Sequence, residues 1–411
     1  MLAALLPVRS LLLAIFVLMA GSGFLATLLS LRLERAGARS LLIGLVATSY
    51  FVGLTLGALR ITPLIQRVGH IRAFAAFVSL FSASTLAYAI HQDVALWAAL
   101  RFIDGFCVAG VFICLESWLN ERAEPETRGA ILACYMIALY AGQAIGQFLL
   151  NLSQEKPSMP FMAASILLSL AIIPVVLTRI AGPSLDTSPP LALRRLYAIS
   201  PLGIIGAAST GLMLGAFYAL GAVHMRRLGL DLPHTALFMS VVILCGVVLQ
   251  WPIGRLSDRY DRRRVIVGTF AAACLISAAI AAGADSGAWA LLLLLGGLFG
   301  GTSFALYPLC VAHTNDHLTR EERVGASGGL VLAYSAGAAV GPVAGAAAMS
   351  IGGPGGLYFF IAVCAGGTLL FALWRQWMSI AVPGRFQKPY QILPRTTPMS
   401  AALDPHAADS D

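Results

Sequence analysis

Two ionisable residues of opposite charge stand one helical turn apart inside a long apolar run. Arg101 and Asp104 belong to the string Arg-Phe-Ile-Asp-Gly within residues 94–117. An arginine at the centre of a membrane helix costs on the order of 3 kcal/mol, and Asp104 is spaced to pair with it. We interpret the pair as a proton- or substrate-responsive group that faces a cavity. Two simpler interpretations stay open, in which Arg101 snorkels to the membrane surface or the pair only fixes its helix.

The densest charge in the chain lies at residues 254–264. The string Gly-Arg-Leu-Ser-Asp-Arg-Tyr-Asp-Arg-Arg-Arg holds five arginines and two aspartates, with long apolar runs on both sides. Such a cluster is not stable inside a bilayer, so it is predicted to form a tight cytoplasmic turn between two membrane helices. The same frame recurs at residues 62–72, where two arginines are kept but Thr62 and Gln66 replace the first glycine and the aspartate.

These charges predict a gate at the cytoplasmic side. We expect Asp258 to cap the N-terminus of the fifth helix near Arg128 through the helix dipole, and Glu116 to pair with Arg67 or Arg72. Both contacts would form only when that side is shut. The free energy needed to break them would then be supplied by binding of a substrate or a proton. A solvated helix end is the alternative for Glu116. The candidate gate residues are Gly254, Asp258, Arg259, Arg262, Arg264, Arg67, Arg72, Glu116 and Arg128.

Composition places these residues in a polytopic membrane protein. The 411 residues are 58% hydrophobic and 11% charged, with a mean hydropathy of +0.83, whereas soluble domains carry roughly 25% charged residues. Most lysines and arginines fall on the side predicted to be cytoplasmic, so the net charge of +8 reflects topology and not a nucleic-acid partner. The seven cysteines lie in apolar runs as small hydrophobes. No metal site, cofactor or ATP-binding loop is predicted.

Twelve apolar runs are long enough to cross a membrane. They lie at residues 9–30, 41–64, 72–91, 94–117, 129–150, 159–179, 203–225, 234–253, 265–283, 286–311, 324–350 and 356–379. We predict an N-terminal six-helix bundle at 1–181, a proline-containing cytoplasmic linker at 182–202, a C-terminal six-helix bundle at 203–381 and a disordered cytoplasmic tail at 382–411. Repeated motifs in the two halves favour parallel halves with a site between them, as in transporters.

Small residues recur on the fifth helix of each half, where they let helix backbones approach closely. The residues predicted to pack helices in this way are Gly142, Gly146, Gly337, Gly341 and Pro342.

Several of these strings resemble known motifs of the major facilitator superfamily. Residues 254–264 resemble motif A, Arg101 through Gly105 resembles motif B, and Gly337 through Gly345 resembles motif C, which is typical of exporters. Further strings resemble the YcaD-type branch, such as Gln250-Trp251-Pro252-Ile253-Gly254 and Leu306-Tyr307-Pro308. The resemblance implies an all-α membrane protein with twelve transmembrane helices in two pseudo-symmetric six-helix bundles, and it implies a transporter without naming a substrate.

The resemblance also implies which helices line the central cavity, namely the first, second, fourth and fifth of each half. Polar side chains on these helices must find partners or water, and packing between helices remains the alternative role for each. The candidates for a substrate or proton cavity are Arg101, Asp104, Tyr135, Tyr140, Gln143, Gln147, Tyr218, Tyr307 and Tyr334.

The predicted function is secondary active transport of a small molecule across a bacterial inner membrane by alternating access, as proton-coupled efflux (an antiporter). The chain is predicted to be a monomer in the lipid bilayer with both termini cytoplasmic, and not an enzyme, since no nucleophile–base pair lies within a span. The alternatives are a small-metabolite importer or facilitator, and a membrane sensor that does not transport.

Overall fold

The computed structural model describes most of the chain. The described residues are 8–123, 127–177, 192–283 and 288–378, together with 387, 390–392 and 394–397 near the C-terminus. Within these ranges, twelve helices are long and apolar enough to cross a membrane. The predicted number of spans and the all-α class are therefore confirmed.

The twelve helices divide into two groups of six along the chain. The first half contains α1 Arg9–Arg35, α2 Ser40–Arg60, α3 His70–Ile90, α4 Val94–Arg122, α5 Arg128–Gln154 and α6 Met159–Val176. The second half contains α7 Pro201–Arg227, α8 Leu232–Arg259, α9 Arg262–Ala282, α10 Trp289–Asn315, α11 Arg320–Gly352 and α12 Gly356–Met378. Two short helices, Thr62–Val68 and Leu193–Ile199, precede α3 and α7.

Alternation of helix direction gives the bundle two distinct ends. The turns that carry Arg67 and Arg259 lie at one end, with the start of α7 and the end of α12. We call this the arginine end. The far end is the opposite one, and it contains the turns at Arg39 and Leu230.

Irregular backbone in α1 faces irregular backbone in α5. The helix α1 is interrupted at Gly23, and a Cβ on Gly23 would lie 2.7 Å from the Cγ atom of Gln143. The last turns of α5, from Gln147 to Gln154, are 3-10 helix. The amide of Gln147 donates a hydrogen bond of 3.0 Å to the carbonyl of Gly23. The two interruptions therefore stabilise each other. The interruption at Gly23 leaves room for Gln143 toward the centre of the bundle.

Glycines allow the closest helix approaches in both halves. A Cβ on Gly337 would lie 2.0 Å from the carbonyl oxygen of Ala208, and one on Gly142 would lie 2.4 Å from that of Phe16. Any side chain at these positions would displace backbone. In the same way Gly146 faces α1, Gly341 faces α7, and the carbonyl of Pro342 lies against Gly44 of α2.

The halves meet where α1 packs on α7, where α2 packs on both α7 and α11, and where α5 packs on α8. The hydroxyl of Thr48 on α2 donates to the carbonyl of Ala339 on α11 at 2.7 Å, and the hydroxyl of Ser240 on α8 donates to that of Ala144 on α5 at 2.5 Å. Residues 178–191, which include the first part of the predicted linker, lie outside the described residues. The described part of the linker, 192–202, contains Arg195, which pairs with Glu322 at the start of α11.

Candidate substrate cavity and gate

A central cavity lies between the two halves. About 160 Å³ of it is open, and its wall comes from α1, α2, α3, α4, α5, α7 and α11 and from residues 395 and 396 near the C-terminus. Of the residues predicted for the cavity, five line it, and these are Arg101, Tyr140, Gln143, Tyr218 and Tyr334.

The ion pair on α4 is present, but only its arginine faces the cavity. The guanidinium of Arg101 lies 4.2 Å from the ring centroid of Tyr50 and 3.7 Å from Asp104 Oδ2. Asp104 is turned toward α3, where it accepts hydrogen bonds from the hydroxyls of Tyr88, at 2.6 Å, and Ser84. Arg101 is 5% exposed, so it is enclosed by the protein and does not snorkel.

The other predicted cavity residues are not among those that line the cavity, and they contact residues next to its wall. The Tyr135 hydroxyl donates to Glu116 at 2.9 Å, and Gln147 holds the interruption of α1. The Tyr307 ring packs edge-on against Tyr334, with 5.3 Å between centroids. Their described contacts are therefore with other side chains or backbone, and they position the residues that reach the cavity.

The gate acid of the first half has other partners than those predicted. Glu116 is fully buried, and its described hydrogen bonds come from the hydroxyls of Tyr135, Thr396 and Thr397. Arg67 and Arg72 are exposed at the arginine end. The predicted ion pair of Glu116 with either arginine is thus not among its described contacts in this conformation, because a segment of the C-terminal tail lies against the carboxylate.

The described contacts of the gate acid of the second half are also not with its predicted partner, although Asp258 and Gly129 at the N-terminus of α5 line the same pocket. Asp258 lies 3.3 Å from the guanidinium of Arg262 and accepts a hydrogen bond of 2.7 Å from the backbone N–H of Tyr390. Arg128 donates to the carbonyl of Ala123 at 3.3 Å. Arg259 and Arg264 are exposed, whereas Gly254 is buried.

Arg262, like Arg263, is a buried arginine of the turn. Its guanidinium donates to Asp316 at 2.5 Å and to the carbonyl of Ala312 at 3.1 Å, so it joins α9 to the end of α10. Burial raises the pKa of the Asp316 carboxyl to about 6 from an ordinary value of 3.8, although Arg262 opposes this shift. The sequence analysis did not identify this pair, because its two residues lie on different helices and are 54 positions apart.

A polar latch that sequence reasoning did not find joins the halves at the far end. The guanidinium of Arg227 on α7 donates to both carboxylate oxygens of Glu34 on α1, at 2.8 and 3.1 Å, and to the hydroxyl of Ser40 at 2.8 Å. We call these three residues the far-end latch. The side chains of Arg227 and Glu34 are 25% and 22% exposed. Because they are partly buried and form two parallel hydrogen bonds, the contact is stronger than a single exposed ion pair.

A segment near the C-terminus lies inside the bundle at the arginine end. The Tyr390 ring fills the space beside Gly254, where a Cβ would lie 2.1 Å from it. Farther along, the Cζ atom of Arg395 lies 4.3 Å from the ring centroid of Phe304 and 5.6 Å from that of Tyr334. Of the tail predicted to be disordered, residues 387, 390–392 and 394–397 are described, and the other residues of 382–411 lie outside the described residues.

Comparison with protein families identifies the fold. The profile of the Major Facilitator Superfamily matches residues 11–302 and 203–388. The chain belongs to the major facilitator superfamily. An uncharacterized MFS-type transporter of Yersinia pestis (strain Pestoides F) is 30% identical over 342 residues, which cover 82% of this chain and 87% of that protein. The MFS-type transporter YcaD of Escherichia fergusonii, also uncharacterized, is 29% identical over 341 residues with the same coverage.

Solved structures share the architecture of this major facilitator chain. The nucleoside transporter NupG has a TM-score of 0.76 at 15% identity, covering 90% of this chain and 98% of its own. A bacterial homologue of the human lysosomal transporter Spinster, in an inward-facing and occupied conformation, has a TM-score of 0.72 at 14% identity, covering 90% and 95%. At these identities the likeness shows the fold alone. The chain is therefore a multi-pass MFS transporter of a small molecule, and not an enzyme.

Proposed function

We propose that this protein is a secondary active transporter that works by alternating access in a bacterial inner membrane, as a monomer. The arginine end and both termini would face the cytoplasm, which agrees with the positive-inside bias of the arginine turns. One observation carries the proposal. The far-end latch joins the two halves at one end of the cavity, while at the other end the gate acids hold a segment of the tail and not the opposing half.

The proposed cycle exchanges one set of contacts for the other. In the described conformation Glu34 and Arg227 hold the far end shut. In the alternate conformation this bridge breaks, Asp258 turns to the N-terminus of α5 near Arg128, and Glu116 turns to Arg67 or Arg72. A ligand or proton drives the exchange only if it binds one conformation more tightly than the other.

We further propose that protons are coupled through Asp104 and that the direction is efflux. Asp104 is fully buried, holds two hydroxyl donors and lies within 3.7 Å of Arg101. Protonation of Asp104 would leave the positive charge of Arg101 uncompensated beside the cavity, so a proton and a positively charged solute would displace each other, as antiport requires. The likeness of Gly337–Gly345 to motif C, which is typical of exporters, supports efflux.

Reconstitution into proteoliposomes tests this proposal. The protein is exposed to a library of small organic solutes while a trapped dye reports the internal pH. We expect at least one solute to move protons in the direction opposite to its own flux. The Asp104→Asn variant should lose proton movement but keep exchange of labelled solute for unlabelled solute. Proton movement in the same direction as the solute would indicate an importer, and solute flux without proton movement would indicate a facilitator.

A further inference from the structure

The C-terminal segment reaches deep into the bundle. Phe304 is eleven residues before the end of α10, which places it about 16 Å from the arginine end at 1.5 Å per residue, roughly halfway through a core of about 30 Å. Arg395 stacks on this ring and lies over Tyr334 of α11. Its guanidinium also lies close enough to Tyr140 of α5 for a side-chain hydrogen bond. Arg395 thus sits where a transported solute would sit.

The groups around Arg395 have the chemistry of a cation site. Aromatic faces within about 6 Å of a guanidinium or ammonium attract it through the ring quadrupole. Phe304, Tyr334, Tyr140 and Tyr218 surround the place, and Tyr140 and Tyr218 each pack against Phe304, with 5.6 and 6.2 Å between ring centroids. We call these four residues the aromatic cage. Within the described residues Arg395 Nη1 has no hydrogen-bond partner, so the described contacts of this nitrogen are with the ring faces.

The cavity's charges also favour a cation. The positive charge of Arg101 is balanced by the carboxylate of Asp104, which lies 3.7 Å away. Glu116, by contrast, is fully buried, and its described partners are three hydroxyl groups, two of them from the C-terminal segment itself. Thr396 lines the cavity and bonds to Glu116. Departure of the segment would therefore open Glu116 to the cavity, with the Tyr135 hydroxyl as its described donor. A buried carboxylate in this setting attracts a cation strongly, because the low local dielectric screens it little.

We propose that the aromatic cage and Glu116 form a binding site for organic cations of the alkylguanidinium or alkylammonium class, and that Arg395 with its two threonines occupies this site as a built-in competitor. This inference rests on the proposed transport function, since it names the class of solute and a device that blocks it. The space left open beside the segment, about 160 Å³, is below the roughly 300 Å³ of small ligand pockets. The segment must therefore leave before a solute of ordinary size binds.

Binding of agmatine, an alkylguanidinium, to the purified full-length protein tests the proposal by calorimetry. We expect Arg395→Ala to bind agmatine at least tenfold more tightly than the unmodified protein does, because the competitor is removed. Arg194→Ala removes an exposed arginine at the same end and should leave the affinity unchanged. Adding Tyr334→Ala or Glu116→Gln to Arg395→Ala should abolish the gain. Butylurea, which is uncharged, should bind to none of these proteins.

The result that would overturn the proposal is an Arg395→Ala variant that is folded and monodisperse but binds agmatine no better than the unmodified protein. Equal binding of butylurea would overturn it as well. This failure is distinct from failure of the transport function. Agmatine binding without flux in proteoliposomes would contradict alternating access and leave the cation site in place. Proton-coupled flux of another solute without agmatine binding would contradict the cation site and leave alternating access in place.

Discussion

At the scale of single residues, spacing along one helix was predictable and partners from elsewhere in the chain were not. Arg101 and Asp104 pair as their separation on α4 indicates. Which of the two faces the cavity depends on α3, whose Ser84 and Tyr88 turn the carboxylate away. The partners of Glu116 come from residues 396 and 397, and no local rule links positions so far apart.

Removal of the arginine alone should destabilise the protein. Arg101→Met leaves Asp104 buried without its cation, and breaking a buried pair in this way costs about 3–5 kcal/mol. We expect a lower melting temperature in detergent, and a partial recovery when Asp104→Asn is added, since the remaining charge is then gone. A melting temperature of Arg101→Met equal to that of the unmodified protein would show that the pair contributes no stability.

The raised pKa of Asp316 makes a prediction about pH. Burial lifts this pKa to about 6 in the folded protein from an ordinary 3.8, so the folded protein binds a proton more readily than the unfolded chain does. Lowering the pH from about 7 toward 4 should therefore stabilise the fold through this residue. The melting temperature of Asp316→Asn should respond less to pH over this range. Identical pH profiles for the two proteins would contradict the assignment.

At the scale of helices, hydropathy predicted the spans and small residues predicted close contacts. The spans agree because each must be long and apolar whatever it packs against. The interruption of α1 at Gly23 and the 3-10 turns that end α5 were not predicted, because they depend on how these two helices pack against each other. The same packing brings Gln143 to the cavity wall.

The glycine contacts give a matched pair of substitutions. Gly337→Ala places a methyl group 2.0 Å from the carbonyl of Ala208, and such overpacking costs about 1–3 kcal/mol. Gly268→Ala on α9 meets no heavy atom within 4 Å, so it should be neutral or stabilise the helix by up to about 1 kcal/mol. Melting temperatures of both variants check this. A Gly337→Ala protein as stable as Gly268→Ala would mean that α7 and α11 are not in close contact.

At the scale of the whole molecule, the two halves are held together at one end and separated by the chain's own segment at the other. Composition predicted two bundles but could not predict this asymmetry. The far-end latch joins α1 to α7 across nearly half the sequence. The sequence of the tail predicts disorder because it is polar and rich in proline. The bundle nevertheless provides an aromatic partner for Arg395 and an acidic partner for Thr397.

Weakening the far-end latch should shift the protein toward the alternate conformation. In a background without native cysteines, a cysteine at Ala47 on the cavity wall reports access from the far side to a membrane-impermeant thiol reagent. Glu34→Gln should raise its labelling rate several-fold. Arg226→Met is the matched control, because Arg226 bonds to Leu230 within its own half. Equal labelling rates in Glu34→Gln and Arg226→Met would mean that the bridge does not hold the far end.

The most direct test of alternating access is to measure both ends of the molecule at once by pulsed electron paramagnetic resonance. One pair of spin labels replaces the exposed Val68 and Tyr260 at the arginine end, and another replaces the exposed Gln92 and Ile351 at the far end. In the Glu34→Gln, Arg395→Ala double variant, which releases the latch and the segment, we predict a shorter distance for the first pair and a longer one for the second. Distances that stay fixed, or that both lengthen, would contradict the account.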